Sequence, residues 1–263
     1  MFRCLTVLAS FGLLALVACG GPPAKLTDPV SVPDAQIVDR EAPVAPVTVE
    51  SINREAVVRA SSVNASPAIT WAIGTAPATE DHALSVLGAP TVGESERGAT
   101  VCFDGKDDAL LFPVNPLQGL SEFTIEVLLK PDPDGATEQR PLHVQEDGTE
   151  SRALLELRTT AEASFVVSTF VRSGAEQLAL VNEKALHPGS RWYWIALTYK
   201  GGQLSHAVNG VLEADGKVAL APLRKGQMSL GARLNREAWF KGCVREIRFS
   251  PTALPAAELQ RAN

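Results

Sequence analysis

Alternation of apolar and polar residues between closely spaced turn signals is the pattern that most restricts this chain. In Phe123-Thr124-Ile125-Glu126-Val127-Leu128-Leu129-Lys130, the side chains of Phe123, Ile125, Val127 and Leu129 fall on one face, the period of two expected of a strand. Ser164–Val171, Gln177–Val181, Tyr193–Tyr199, Leu204–Asn209 and Val244–Phe249 are further short runs of β type. Turn chemistry separates them: Pro131-Asp132-Pro133-Asp134-Gly135, Glu146-Asp147-Gly148, His187-Pro188-Gly189, Gly201-Gly202 and Asn209-Gly210. Only Pro255–Arg261 reads as helical. Many short strands with frequent turns predict an all-β sandwich or barrel.

The parity of these runs assigns faces. Ile195, Leu197 and Tyr199 alternate inward, and Trp194, Ala196 and Thr198 face the other way. Trp192 is expected to plug the start of its strand against the core. His206 takes an inward position in Leu204-Ser205-His206-Ala207-Val208 where an apolar residue is expected, so it must find a hydrogen-bond partner there. A structural role for His206 is the expectation.

The N-terminus carries a different kind of information. Arg3 precedes an apolar run from Leu5 to Leu16, and small residues then lead to a cysteine in Leu16-Val17-Ala18-Cys19. This is a secretion signal in outline. The tetrad resembles the bacterial lipobox, which implies that Cys19 is acylated and becomes the mature N-terminus. An ordinary signal peptide with an incidental Cys19 is the alternative. The run is shorter than the ~20 residues that a bilayer core requires of a helix. Gly20, in place of Asp after the cysteine, implies outer-membrane sorting by the general lipoprotein rule. From Gly20 to Val49, Pro22, Pro23, Pro29, Pro33, Pro43 and Pro46 recur without apolar period, as in an extended, semi-rigid tether. The expected organisation is a signal peptide over 1–18, a lipidated Pro-rich linker over 19–63 and one domain over 64–263.

Charge narrows the partners. The chain has 24 Lys+Arg against 30 Asp+Glu and a formal net charge of -6, and it becomes more acidic once Arg3 leaves with the signal. No basic block remains, which argues against nucleic acid and against an anionic lipid surface. Membrane attachment is expected through the N-terminal lipid alone.

Three segments in order resemble laminin-G-like, concanavalin A-type domains. Cys102-Phe103-Asp104-Gly105-Lys106-Asp107-Asp108 followed by Phe123-Thr124-Ile125-Glu126-Val127 is similar to the family's opening. Arg191–Tyr199 with Val208-Asn209-Gly210-Val211 is similar to its central hairpin. Gly242-Cys243-Val244-Arg245-Glu246-Ile247-Arg248-Phe249 with Ala253-Leu254 is similar to its closing strand and short helix. The resemblance covers roughly residues 69 to 260 and implies a two-sheet jelly-roll sandwich with one curved face. It also implies that the strands bearing Cys102 and Cys243 are neighbours. With Cys4 lost with the signal and Cys19 lipidated, a Cys102–Cys243 disulfide is expected in an oxidising compartment. Their parities disagree along the two strands, so a bulge or sheet twist must bring the two thiols to one side.

The chemistry-bearing residues are sparse. Retaining glycosidases of this fold class need two carboxyl groups about 5–5.5 Å apart, and none of the strands predicted above has acidic residues at successive alternate positions. His82, His143, His187 and His206 lack metal-ligand spacing, and neither a nucleophile elbow nor a phosphate-cradling glycine loop occurs. The expectation is therefore a binding domain and not an enzyme. The resemblance favours glycan as ligand, with an envelope protein as the alternative partner and a degenerate glycoside hydrolase as the third reading. Trp194 is the candidate aromatic plate, with Trp239 and the polar loop of Asn235, Arg236 and Glu237 on the rim. No cofactor is required, although Asp104, Asp107 and Asp108 could offer oxygen ligands to a structural calcium; turn capping is the competing role.

Overall fold

In a computed structural model, the described residues are 69–73, 84–160 and 162–262. The expected signal peptide, Cys19 and the expected linker to residue 63 lie outside them. Among the described residues, sixteen strands build two antiparallel sheets that share one core. The first sheet runs β14 (Val211–Lys217), β13 (Gln203–Val208), β12 (Tyr193–Lys200), β6 (Phe123–Pro131), β16 (Lys241–Ser250), β4 (Gly98–Asp104) and β3 (Thr91–Ser95). Strand β1 (Ile69–Ala72) pairs with the far half of β16. The second sheet runs β10 (Glu176–Val181), β9 (Ser164–Ser173), β8 (Arg152–Thr159), β7 (Glu138–Glu146), β15 (Gly226–Leu230), β5 (Ala109–Phe112) and β2 (Ser85–Leu87). Strand β11 (His187–Pro188) pairs with β9. This is the all-β sandwich that the alternation predicted.

The core is made by the inward halves of these alternations. Phe123, Ile125, Val127 and Leu129 of β6 and Ile195, Leu197 and Tyr199 of β12 meet Leu142 and Val144 of β7, Ala153, Leu155 and Leu157 of β8, and Phe165 and Val167 of β9. Each fully buried large aliphatic or aromatic side chain contributes about 1.5–3 kcal/mol relative to exposure, so a shift of register by one residue would be prohibitive. At the end of β13, Asn209 and Gly210 both take left-handed backbone angles (φ 49° and 73°), and Val208 pairs with Val211 across them. A two-residue hairpin demands such angles. Asn209 also ties the hairpin to β12 and the tail with its side chain, whose Oδ1 accepts the N–H of Trp194 at 3.0 Å and of Ala262 at 3.1 Å.

The strand β16 resolves the parity conflict between the cysteines. Its register against β6 shifts between Val244 and Glu246, so Arg245 is an extra residue in a β-bulge. On one side of the bulge Val244 points inward and Cys243 outward; on the other, Ile247 and Phe249 point inward and Glu246 and Arg248 outward. Cys243 thus faces its direct cross-strand partner Cys102 on β4, and the two form a disulfide with Cα atoms 3.9 Å apart. The bridge joins β4 to β16, the last strand among the described residues.

Three local expectations are corrected. Residues 251–262 contain no helix. The first sheet offers the tail better acceptors than its own turns would: Thr124 Oγ1 takes the N–H of Leu254 at 2.9 Å, and the Glu126 carboxylate takes that of Gln260 at 2.7 Å. Trp192 does not plug the main core but lies outside the first sheet beside Leu128 and Trp194, with Lys130 Nζ 5.7 Å from its ring centroid. Strands β1, β2, β3, β5, β7, β8, β11, β14 and β15 were not among the runs read as strands. In β7, a bulge between Gln139 and Leu142 breaks the alternation, and β5 and β15 are short.

His206 is buried between the sheets, with Nδ1 3.1 Å from Thr169 Oγ1. Burial lowers its pKa to about 4, against the partial opposition of Glu213. The unfolded chain takes up that proton near pH 6.5, so the native state is fully stable above that value and loses about 1 kcal/mol per pH unit as the pH falls toward 4. Thermal melts at pH 7.0, 6.0 and 5.0 should show a falling midpoint, and a His206→Gln variant should show a shallower fall over the same range. The disulfide closes a loop over a sequence separation of 141, for which about 2–5 kcal/mol of stabilisation is expected. Thiol counting on the unfolded, unreduced protein should find neither Cys102 nor Cys243 free, and a Cys102→Ala/Cys243→Ala double variant should melt well below the parent.

Candidate functional site

The two sheets expose outer faces of different character, and that difference locates the site. The outer face of the first sheet is covered by its own chain. Trp194, only 6% exposed, packs with Leu128, Trp192, Cys243 and Ala262, and the Arg248 guanidinium lies 4.9 Å from its ring centroid. Leu259 of the tail packs on Ala196 and Ala207. Trp194 does occupy the outward register expected of it, but it presents no open ring to a ligand.

The same cover disposes of the carboxylates on this face. Glu126 is 1% exposed, and burial raises its pKa against the backbone bond from Gln260 and the charge of Arg248. Glu246 is held by Arg245 Nη1 at 2.9 Å and Arg248 Nε at 2.6 Å. Neither has access to a scissile bond, and both serve to fasten the tail and the bulge.

The outer face of the second sheet keeps its polar side chains. One cross-strand row reads Gln227, Gln145, Arg152 and Arg172 across β15, β7, β8 and β9. The next reads Ser229, His143, Leu154 and Phe170, followed by the pair Glu156 and Ser168. Glu156 is the acceptor of this group: Arg140 Nε lies 2.6 Å from its Oε1, and Ser168 Oγ donates to Oε2 at 3.1 Å. The Arg152 guanidinium lies 4.9 Å from the Phe170 ring centroid, a cation–π arrangement.

The loop between β15 and β16 folds back over this face. Leu234 donates its N–H to His143 Nδ1 at 3.0 Å, and Ala238 O accepts the N–H of Arg140 at 2.8 Å. Arg236 and Ala238 take left-handed angles (φ 63° and 53°), which cost non-glycine residues energy and cluster at functional loops. Asn235 and Arg236, the expected rim residues, are exposed on this loop. With Leu234, Gln145, Gln227 and the Glu146–Gly148 turn, they line an open groove of about 450 Å³. Trp239 is half-buried on the same loop and does not line the groove. The Glu146 carboxylate is held by Arg224, which donates from Nη2 at 2.7 Å and Nε at 2.9 Å.

Asp104, Asp107 and Asp108 lie elsewhere, at the β4–β5 turn, with one oxygen of each within 4.8 Å of the others. Asp104 Oδ1 accepts the N–H groups of Lys106 and Asp107, while Asp108 takes those of Ala89 and Asp104. Burial pushes the Asp108 carboxyl up against these bonds; for Asp104 the backbone N–H groups outweigh burial and hold it below the usual range. The visible role of these oxygens is to cap the turn, which Gly105 (φ 77°) makes with its Cα hydrogen against Lys241.

The sequence reading named Asn235 and Arg236 on the loop but none of the strand residues that floor the groove. The signal was present in Arg152-Ala153-Leu154-Leu155-Glu156-Leu157-Arg158, whose odd half (Ala153, Leu155, Leu157) is core and whose even half bears three charges.

Among known structures, the chain resembles the binding domain of Paraclostridial mosquitocidal protein 1 (TM-score 0.52, 11% identity, 68% of this chain and 46% of that one). It also resembles the receptor-binding domain of botulinum neurotoxin type G (0.50, 10%, 67% and 44%). A third is the binding domain of botulinum neurotoxin DC in complex with SialylT (0.51, 9%, 72% and 48%). The chain spans a little under half of each, and the likeness at these identities is one of fold. No curated protein matches the sequence. The Laminin_G_3 family model, described as the concanavalin A-like lectin/glucanases superfamily, matches residues 104–260. The matched segment takes in the sandwich from the Asp104 turn to the tail over Glu126, and with more than half of its length so matched, the chain belongs to the concanavalin A-like lectin/glucanase superfamily.

Proposed function

We propose that this protein is a non-catalytic glycan-binding module that takes its ligand on the outer face of the second sheet, in the groove beside the 231–240 loop. The observation that carries this reading is the asymmetry of the two faces. The first sheet spends its outer aromatics on its own tail, whereas the second presents Gln145, Gln227, Asn235 and Arg236 around an open groove. Amide and guanidinium groups on a strand floor suit sugar hydroxyls, which need donors and acceptors at fixed positions. Superfamily membership supports the same reading.

Attachment to the bacterial envelope through a lipid on Cys19 is part of the proposal, and it rests on Arg3, the Leu5–Leu16 run and the Leu16-Val17-Ala18-Cys19 tetrad. A protein partner is the second reading, favoured by Val211 and Leu212, which are 64% and 55% exposed on β14 at the edge of the first sheet.

Two experiments test these statements. A Cys19→Ala variant should leave the membrane fraction and become soluble; equal sedimentation of variant and parent would reject the lipid anchor. A glycan array probed with the purified protein should give a bound class of saccharide, and Gln145→Ala/Gln227→Ala should weaken that binding at least tenfold with little change in melting temperature. Trp194→Ala should do the reverse, costing about 3–5 kcal/mol of stability and leaving the affinity of the folded fraction unchanged. Loss of binding in Trp194→Ala alone would return the site to the first sheet.

A further inference from the structure

The outward row of β6, formed by Thr124, Glu126 and Leu128, is at most 2% exposed although it lies on an outer face of the sandwich. Residues 251–262 cover it without joining the sheet as a strand. Their bonds to the sheet run through side chains. Thr124 Oγ1 accepts the N–H of Leu254 and donates to Thr252 O, both at 2.9 Å. Glu126 Oε1 accepts the N–H of Gln260 at 2.7 Å, and Asn209 Oδ1 that of Ala262 at 3.1 Å. Leu259 is the only buried residue of the segment and packs on Ala196 and Ala207, while Pro255 to Glu258 are exposed. A segment with so little buried apolar surface and no backbone ladder opens more readily than the strands beneath it.

Closure puts a carboxylate under cover. Across β16, Glu126 faces Arg248 directly, with Glu246 beside it. Arg248 attracts the charged form, but its Nε is bound to Glu246 at 2.6 Å, and Glu246 repels that form. Across β12 it faces Ala196, with Trp194 and Thr198 alongside and no charge among them. From above comes the Gln260 N–H, and the flanking Glu258 and Arg261 are exposed to solvent. Burial outweighs the favourable partners and raises the Glu126 pKa. With the segment lifted, the carboxyl regains water and titrates in its ordinary range. The closed state therefore holds the proton more tightly than the open one, and acidity favours closure. This sign is opposite to that of His206, whose lowered pKa makes acid destabilising.

We propose that residues 251–262 form a strap that opens and closes over the first sheet without global unfolding, closing on a protonated Glu126 and loosening as that carboxyl ionises. Opening uncovers Trp194, Ala196 and Ala207 together with the acceptors of Thr124, Glu126 and Asn209. The strap thus gates an apolar strip edged by acceptors, and it leaves the groove on the second sheet as it is.

The test is residue-resolved hydrogen exchange on the full chain at pH 5.0 and 7.5, corrected for intrinsic rates. The amides of Leu254, Gln260 and Ala262 are compared with those of Ile195 and Leu197 in β12. The three strap amides should share one opening constant, about a hundredfold or more above that of the strand amides. It should rise about threefold or more from pH 5.0 to 7.5, while the strand amides gain protection over the same interval as His206 loses its acid penalty. Glu126→Gln keeps an acceptor for Gln260 but cannot ionise. It should hold the strap with a pH-independent opening constant no larger than that of the parent at pH 5.0. Glu126→Leu removes the acceptor and should free the Gln260 amide at both pH values while Ile195 stays protected. Strap amides that exchange only together with the strand amides overturn the inference. So does a parent opening constant that ignores pH, or a pH dependence that survives in Glu126→Gln.

Discussion

The bulge at Arg245 is the constraint on which the rest of this structure depends. Strand β16 pairs with β6 on one side and with β4 and β1 on the other, so its register fixes half of the first sheet. A regular β16 would place Cys243, Ile247 and Phe249 on one face. That arrangement would drive the cysteine into the core and expel Val244. The extra residue inverts the alternation at one point, so Val244, Ile247 and Phe249 are all buried while Cys243 meets Cys102 outside. One inserted residue thus reconciles hydrophobic burial with a covalent bridge between strands far apart in the chain.

What the bulge arranges on the outer face also decides how that face is used. Beyond it, Glu246 and Arg248 point outward, where Arg248 stacks on Trp194 and binds Glu246. Thr124, Glu126 and Asn209 supply acceptors for successive N–H groups of the tail. A strand face with such acceptors and a pair of tryptophans would otherwise expose an apolar patch, and the tail closes it. On the second sheet the loop from Gly231 to Phe240 covers part of the outer face, where Ser229 and His143 are buried, and the groove beside Gln145 and Gln227 stays open. The arginines of this sheet are kept apart from the core by strict alternation along β8, with Leu155 and Leu157 below and Glu156 and Arg158 above.

The site and the fold therefore answer to different chemistry. Core residues are interchangeable in kind as long as volume and alternation hold, whereas the polar side chains around the groove are specific in position. The loop from Gly231 to Phe240 sets that position: its backbone donates to His143 and accepts the N–H of Arg140. The left-handed Arg236 and Ala238 are the local cost of that path.

Much of this was determined by the sequence alone. Alternation in β6, β12 and β13 fixed which side chains are core, Asn209-Gly210 fixed a tight hairpin, and the inward parity of His206 required the hydrogen bond that Thr169 provides. Even the need for an irregularity between the cysteines was legible, because a period of two cannot be satisfied from both ends of β16. These are local properties, set by backbone geometry and nearest neighbours. The exposure of Trp194 was not local. Its outward register was readable, but whether outward means open depended on a tail that contacts it only after folding. The outer face of the second sheet was decided in the same way: Gln227, Gln145 and Arg152 come from three separate strands, and only sheet pairing sets them in one row. Parity tells a side chain which face it is on; tertiary structure tells it what else is there.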